Sequence, residues 1–312
     1  MSTDAETAGH AEEHGTGHII QSLVVNFIIA AVKAVAAVVT NSGAMLAEAI
    51  HSFSDCGNQV LLLVGVKQSK KPADSSHPFG YGRALYLWSF MVALMLFVGG
   101  GVFSIYEGVH KIQHPEPVER PLIGLIILGV SLVLEGYATF SNIRELNQRR
   151  GEVGFFRYLS ATKDSDLVVV FGENSAAVLG LFFALIALGL AASTGDSRWD
   201  GGGSLVIGLV LVGVAIFLAR EVHSLLLGEA ADPKIEARLR EVAATTPGCD
   251  GVIHARAVQQ GAGEVLVAAK LAFMADLRFE EVAQRIDEIE AKVRETCPEI
   301  RYFFLEPDLR RA

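Results

Sequence analysis

Over its first two thirds the chain alternates long, uninterrupted apolar runs with short polar links; after that the pattern changes to amphipathic segments. The apolar runs lie at about Ile19–Thr40, Ala44–Val66, Leu85–Tyr106, Pro121–Phe140, Leu167–Ala192 and Ser204–Leu227. Each is close to the ~20 residues that a helix needs to cross the hydrocarbon of a bilayer, so the pattern predicts six spans. Pro121 suits the first turn of the fourth helix, where its missing N–H is not needed. An even number of crossings puts both termini on one side.

From Asp232 onward the periodicity predicts a helix over Lys234–Thr245, strands over Val252–Gln259 and Glu264–Phe273 around the turn QQGAG, a helix over Phe279–Glu295 and a last strand over Ile300–Leu305. Val265, Val267, Ala269, Leu271 and Phe273 alternate with more polar neighbours, as a half-buried strand requires. The expected fold is therefore membrane α-helical, with six transmembrane helices followed by an α+β, ferredoxin-like (α-β-β-α-β) domain. The expected divisions are a disordered tail at 1–17, a six-helix transport domain at 18–228 and a soluble domain at 229–312.

Composition fits that division: 51% of the 312 residues are hydrophobic and 20% are charged. This is too apolar for an ordinary soluble domain and too charged for a chain wholly in lipid. A formal charge of −9 argues against a nucleic-acid partner, which would need clustered Lys and Arg. Cys56, Cys249 and Cys297 form no CxxC pair, so neither a disulfide framework nor a thiolate zinc site is indicated.

The links after the second and fourth runs carry Lys67, Lys70, Lys71, Arg83, Arg144, Arg149, Arg150, Arg157 and Lys163, against Lys111, Arg120 and Arg198 on the other side. The positive-inside rule then places both termini in the cytoplasm, and the plasma membrane is the expected location. The amino end, MSTDAETAGHAEEHGTGH, is polar and acidic, unlike a secretory signal or an Arg-rich mitochondrial presequence. It reads as a cytosolic tail. His10, His14 and His18 recur at a metal-collecting interval, but Gly9, Gly15 and Gly17 oppose a helix and favour a solvated segment.

The chemistry is concentrated in polar residues set into apolar runs. In MLAEAIHSFSD the residues His51 and Asp55 stand one helical turn apart, so an imidazole and a carboxylate share a face. In a soluble helix an ordinary hydrogen-bonded polar pair would be the better reading. At membrane depth ionisable residues are costly and mark ion pathways, which makes this pair half of a divalent-metal site. Glu173 and Asn174 form the second polar island, in the fifth run; adjacent residues lie ~100° apart on a helix, so Glu173 is the expected ligand and Asn174 an accessory carbonyl. Glu48, one turn before His51, and Glu135 are candidate proton carriers or supports for the ligands. Lys33 could neutralise one of these acids, and Glu107 is a further charge at depth.

The link KKPADSSHPFGYGR contains Asp74 and His77, with Tyr81 beyond them, in a loop shaped by Pro72, Pro78, Gly80 and Gly82. A peripheral metal site and a plain turn role are equally open there. No enzyme is expected: HxxxD lacks the base of the HExxH arrangement, and no activated nucleophile is present.

AEAIHSFSD, ADSSHPFGYGR, ENSAAVLG, WDGGGSLVIG, LLGEAADP and FFLEP, taken in that order, resemble the cation diffusion facilitator family of zinc transporters from about Ile19 to Pro307. The chain looks like the branch containing the mitochondrial zinc exporter, where a Glu-Asp pair stands in place of Glu173 and Asn174. Val170 stands where other members carry His. The resemblance implies a homodimer that exchanges a divalent metal for protons by alternating access, with a dimerising soluble domain. In that domain Phe304 and Glu306 fall at metal-binding positions of some bacterial members, and little metal is expected there. The resemblance also implies a basic and an acidic residue, Arg83 and Glu229, that pair to steady the two domains.

The expected function is proton-coupled zinc export with His51, Asp55, Glu173 and Asn174 at the metal. One nitrogen and two or three oxygens also admit Mn²⁺, Co²⁺ or Fe²⁺. The alternative is a non-transporting, metal-sensing membrane subunit. No resident cofactor is expected; partners are the metal, protons, the lipid bilayer and a second copy of the chain.

Overall fold

The computed structural model describes residues 23–24, 26–162 and 165–309; the expected tail at 1–17, its histidines, His18 and Lys163 lie outside the described residues. The chain divides into two compact units. One holds the described residues up to Val64, Trp88–Ala161 and those from Asp166 to Arg220; the other holds Gly65–Leu87 and the described residues from Glu221 onward.

The first unit is helical. It is built from α1 (Asn26–Thr40), most of α2 (Gly43–Ser69), most of α3 (Ala84–Gln113), α4 (Pro121–Arg149), α5 (Phe155–Ala161), most of α6 (Ser165–Thr194) and most of α7 (Arg198–Leu227). Helices α3, α4, α6 and α7 are long and apolar enough to cross a bilayer. At 27 residues α2 has the length, but Glu48, His51, Asp55 and Lys67 dilute its apolar character. The short helix α5 falls in the basic link after the fourth apolar run, where no element is expected. Leu159 is buried and the Phe155 ring packs edge-on to Phe171 of α6 at 5.3 Å. A seven-residue element is too short for periodicity to reveal.

Helix α1 stops because Asn41 takes a left-handed backbone, φ 49°, a conformation Asn tolerates at a helix end. Ser42 then opens α2, its hydroxyl accepting from the Met45 amide at 3.1 Å. Asp200, buried in the first turn of α7, accepts from the Gly43 amide and the Ser42 hydroxyl, both at 2.5 Å. A carboxylate on exposed amides at the positive end of a helix is a favourable pairing, and it joins the start of α2 to α7.

The contact between α3 and α7 is made by glycines. A Cβ on Gly108 would lie 2.5 Å from the Leu205 amide nitrogen, and one on Gly208 would lie 2.7 Å from that of Ile105. Backbone meets backbone there, the close approach that small residues allow between membrane helices. Gly208→Val is therefore expected to destabilise the helical unit by at least ~2 kcal/mol through overpacking. A detergent-solubilised variant melting at the wild-type temperature would contradict this contact. Where α3 passes through Gly99, Gly100 and Gly101 its backbone widens into a π-helical turn, Leu96–Val102.

The second unit contains α8 (Pro233–Thr245), β1 (Cys249–Gly261), β2 (Glu264–Phe273), α9 (Phe279–Thr296) and β3 (Ile300–Leu309). The order is α-β-β-α-β, with β2 central, antiparallel to β1 and parallel to β3. The parallel pair requires a crossover, which α9 supplies. Val265, Val267, Ala269 and Leu271 are buried and belong to one core with Ile235, Leu239 and Val242 of α8 and Ile289 and Val293 of α9. Asp232 caps α8 through the Lys234 amide at 2.9 Å, with Pro233 in the first turn.

The link Gly65–Leu87 belongs to this unit. Phe79 packs edge-on to Tyr302 at 5.3 Å and Phe304 at 6.5 Å, and Gly82 lies against the backbone of Gly261. The Arg83 guanidinium rests beside Gly228, the neighbour of Glu229.

Candidate metal centre

Helix α2 presents Glu48, His51, Ser52, Asp55 and Asn58 at intervals of three and four residues, so they share one side of the helix. Glu48, His51 and Asn58 have no solvent exposure. Nδ1 of His51 lies 3.5 Å from Oδ1 of Asp55. The two are near enough to attract but are not aligned as a hydrogen bond: both imidazole nitrogens and Asp55 Oδ1 are buried without a hydrogen-bond partner. Buried polar atoms are ordinarily paired, so this set of orphans is a feature to be explained. A cation is one partner that would satisfy them together.

Glu173 comes from α6. Its Oε1 accepts from the Asn58 amide at 2.6 Å, and Asp55 is the neighbouring acid whose charge acts on it. Asn58 has no counterpart among the residues expected from sequence, although its spacing, three after Asp55 and seven after His51, would have nominated it. Asn174 meets α4 through its backbone carbonyl, which accepts from the Thr139 hydroxyl at 3.3 Å. The structure thus joins His51 to Asp55 and Glu173 to Asn58. Among the described residues no three of His, Cys, Asp and Glu gather closely enough to enclose a metal ion.

Next to this pair lies a charge cluster whose partners sequence left open. Lys33 of α1 is buried, and its ammonium donates to Ser52 Oγ at 2.9 Å and Glu135 Oε1 at 2.9 Å, with Glu48 Oε2 at 3.5 Å. Removing one member of a buried ion pair typically costs ~3–5 kcal/mol, so α1, α2 and α4 are held together here. Glu107 sits half-buried on α3.

In the link after α2, Asp74 shapes the loop. Its Oδ1 accepts from the Ser76 hydroxyl at 2.6 Å and from the Ser76 and His77 amides, both at 2.8 Å, and its Oδ2 accepts from the Tyr81 hydroxyl at 2.8 Å. His77 stacks on Tyr81 with ring centroids 4.0 Å apart. The Ser76 hydroxyl first, then Tyr81 and the His77 amide, hold the Asp74 carboxyl well below its ordinary value of 3.8. Its contribution to loop order is complete above that value and is lost only as pH falls through the much lower folded one. In the second unit Glu306 pairs with Lys270 at 2.9 Å, and the same ammonium reaches Asp308 at 3.1 Å.

These features define a protein with several helices long and apolar enough to span a membrane and a buried polar island on α2 and α6. The chain belongs to the cation efflux family, the cation diffusion facilitators: residues 19–227 match the cation efflux transmembrane domain. It is 34% identical over 262 residues to the human proton-coupled zinc antiporter SLC30A9, mitochondrial, across 83% of this chain and 46% of that protein. Metal tolerance protein C4 of Arabidopsis thaliana is 27% identical across 84% of this chain and 58% of its own length. Magnetosome protein MamM of Magnetospirillum gryphiswaldense is 25% identical across 75% and 70%. The chain thus spans about half the length of the human relative.

The human relative's name carries a mitochondrial location, and it overturns the plasma membrane expected from sequence. The basic links report only an asymmetry between two sides of a bilayer, and that asymmetry does not say which bilayer.

Proposed function

We propose that this chain exchanges a divalent metal ion, zinc foremost, for protons across a membrane. It does so as a homodimer of six-span subunits working by alternating access, with residues 18–228 as the transport domain and 229–312 as the soluble dimerisation domain. His51, Asp55 and Glu173 are the metal ligands; Asn174 or water completes the shell, and Asn58 holds Glu173. The observation that carries this reading is the set of buried, unpartnered atoms on His51 and Asp55, one turn apart and beside Glu173. The family and a relative named as a proton-coupled zinc antiporter support it. An imidazole must be neutral and a carboxylate ionised to bind metal, so metal entry expels protons and protons expel metal. Asp74 and His77 serve the shape of the loop, and Glu48 and Glu135 support the ligands from the Lys33 cluster.

The alternative, a non-transporting metal-sensing subunit, is favoured by one observation: no three charged ligands enclose a single point among the described residues. Purified protein in liposomes with a trapped pH dye separates the two. Zinc added to one side drives proton movement if the chain is an exchanger; zinc binding without proton or metal flux would establish the sensor.

A further inference from the structure

The cluster around Lys33 has the form of a cation site whose cation is covalently attached. Three oxygens from two helices converge on one ammonium: Ser52 Oγ and Glu135 Oε1 at 2.9 Å, and Glu48 Oε2 at 3.5 Å. The second Glu48 oxygen, Oε1, is buried without a hydrogen-bond partner. It is turned toward α6, where a Cβ on Gly180 would lie only 2.3 Å from it, so the glycine makes the room it occupies. Glu48 and Lys33 are each 1% exposed or less, whereas the Glu135 side chain is 26% exposed. Glu48 lies one and two turns before His51 and Asp55 on α2.

We propose that Lys33 is a tethered counter-cation filling a second, all-oxygen metal pocket, and that its role is to keep that pocket closed to the ion in transit. The pocket has two carboxylates and a hydroxyl, a donor set suited to hard divalent ions such as Mn²⁺. Without the ammonium, a metal released from His51 and Asp55 would meet the buried Glu48 and the part-exposed Glu135 and be captured. With it, the positive charge repels a divalent ion and leaves a single intramembrane stop. The shift from ammonium–oxygen distances of 2.9, 2.9 and 3.5 Å to metal–oxygen distances of ~2.0–2.2 Å requires the three side chains to close inward by rotation. The consequence for transport rests on the exchanger reading above; the pocket itself does not.

The test is metal stoichiometry on the full-length protein in detergent, with Mn²⁺ and Zn²⁺ as separate probes in calorimetry. Lys33→Ala is expected to bind one more Mn²⁺ per chain than wild type, and Lys33→Ala combined with Glu48→Gln is expected to return to the wild-type number. Asp55→Ala in either background should remove the transport-site ion and leave the added one. Failure of the ligand assignment therefore shows in the wild-type background, failure of the exchanger reading shows as absent flux in wild-type liposomes, and failure of the pocket shows in the difference between Lys33→Ala and its Glu48→Gln double variant. If Lys33→Ala is too unstable to purify alone, Mn²⁺ during purification should recover it, while the double variant should be indifferent to the metal. Unchanged stoichiometry in folded Lys33→Ala, or no recovery with Mn²⁺ present, overturns the proposal. In liposomes the extra stop should slow zinc turnover at least tenfold, and Lys33→Arg, which restores the tethered cation, should recover most of it.

Discussion

Asp55→Ala and His51→Ala are each expected to reduce zinc-driven proton flux in liposomes by at least ~100-fold, more than the 10- to 100-fold typical of losing a group that merely supports a ligand. Each variant deletes one of the two groups that α2 places 3.5 Å apart with no hydrogen bond to compensate for burial. Because those atoms carry no protein partner, their removal breaks no internal hydrogen bond, and the folded protein should keep its wild-type elution by size-exclusion chromatography. Asp55→Asn should fail almost as completely, since it preserves volume while removing the charge that metal requires and protons neutralise. Wild-type zinc affinity should fall as pH is lowered, because protons and metal compete for the same atoms. That pH dependence should be shallower in Asp55→Asn, which has one titrating group fewer. Normal flux in Asp55→Ala would sink the ligand assignment, whatever the other variants did.

The parts of this chain legible in sequence are those governed by one element's own periodicity. The strand Glu264–Phe273 has the limits expected from its alternation, and it buries Val265, Val267, Ala269, Leu271 and Phe273 as that alternation requires, with Ala272 buried as well. The pairing of His51 with Asp55 is likewise a property of a single helix. What sequence did not reveal depends on which helices face one another. That Lys33 meets both Glu48 and Glu135, across 15 and 102 residues of chain, follows from the packing of α1 between α2 and α4, on which no spacing bears. The grip of Asn58 on Glu173, 115 residues away, is of the same kind. The carboxy-terminal elements run longer than their apolar patterns: β3 continues from Leu305 to Leu309 because Glu306, Pro307 and Asp308 lie in register with Lys270, Leu271 and Ala272 of β2. A strand paired to a buried neighbour tolerates a proline and acids that sequence alone reads as its end. The link KKPADSSHPFGYGR reads in sequence as a loop shaped by its prolines and glycines, yet Phe79 and Gly82 also pack against the β-sheet.

Glu173→Gln is expected to eliminate measurable zinc binding at the intramembrane site, with affinity falling at least ~100-fold by the same comparison. Glu173 is the acid that α6 supplies beside Asp55, and Gln preserves its shape and its contact with Asn58 while removing the charge. Asn58 donates to one oxygen of that carboxylate and leaves the other for metal, so Asn58→Ala should weaken binding by ~10- to 100-fold, the usual effect of losing a partner that orients a ligand. Asn174→Ala should weaken it less than either, because Asn174 lies ~100° around the helix from Glu173 and bonds α4 through its backbone, which the substitution retains. Asn174→Asp is the informative gain: a further carboxylate should tighten zinc binding and steepen its pH dependence, since one more proton must leave as metal enters. Tighter binding need not speed transport, because release slows with it, so affinity and turnover should move in opposite directions in this variant. Calorimetry across pH on the four proteins decides the assignment. Full zinc affinity in Glu173→Gln would transfer the ligand role to Asn174 or to another helix, whereas an unaffected Asn58→Ala would leave Glu173 in place and remove only its holder.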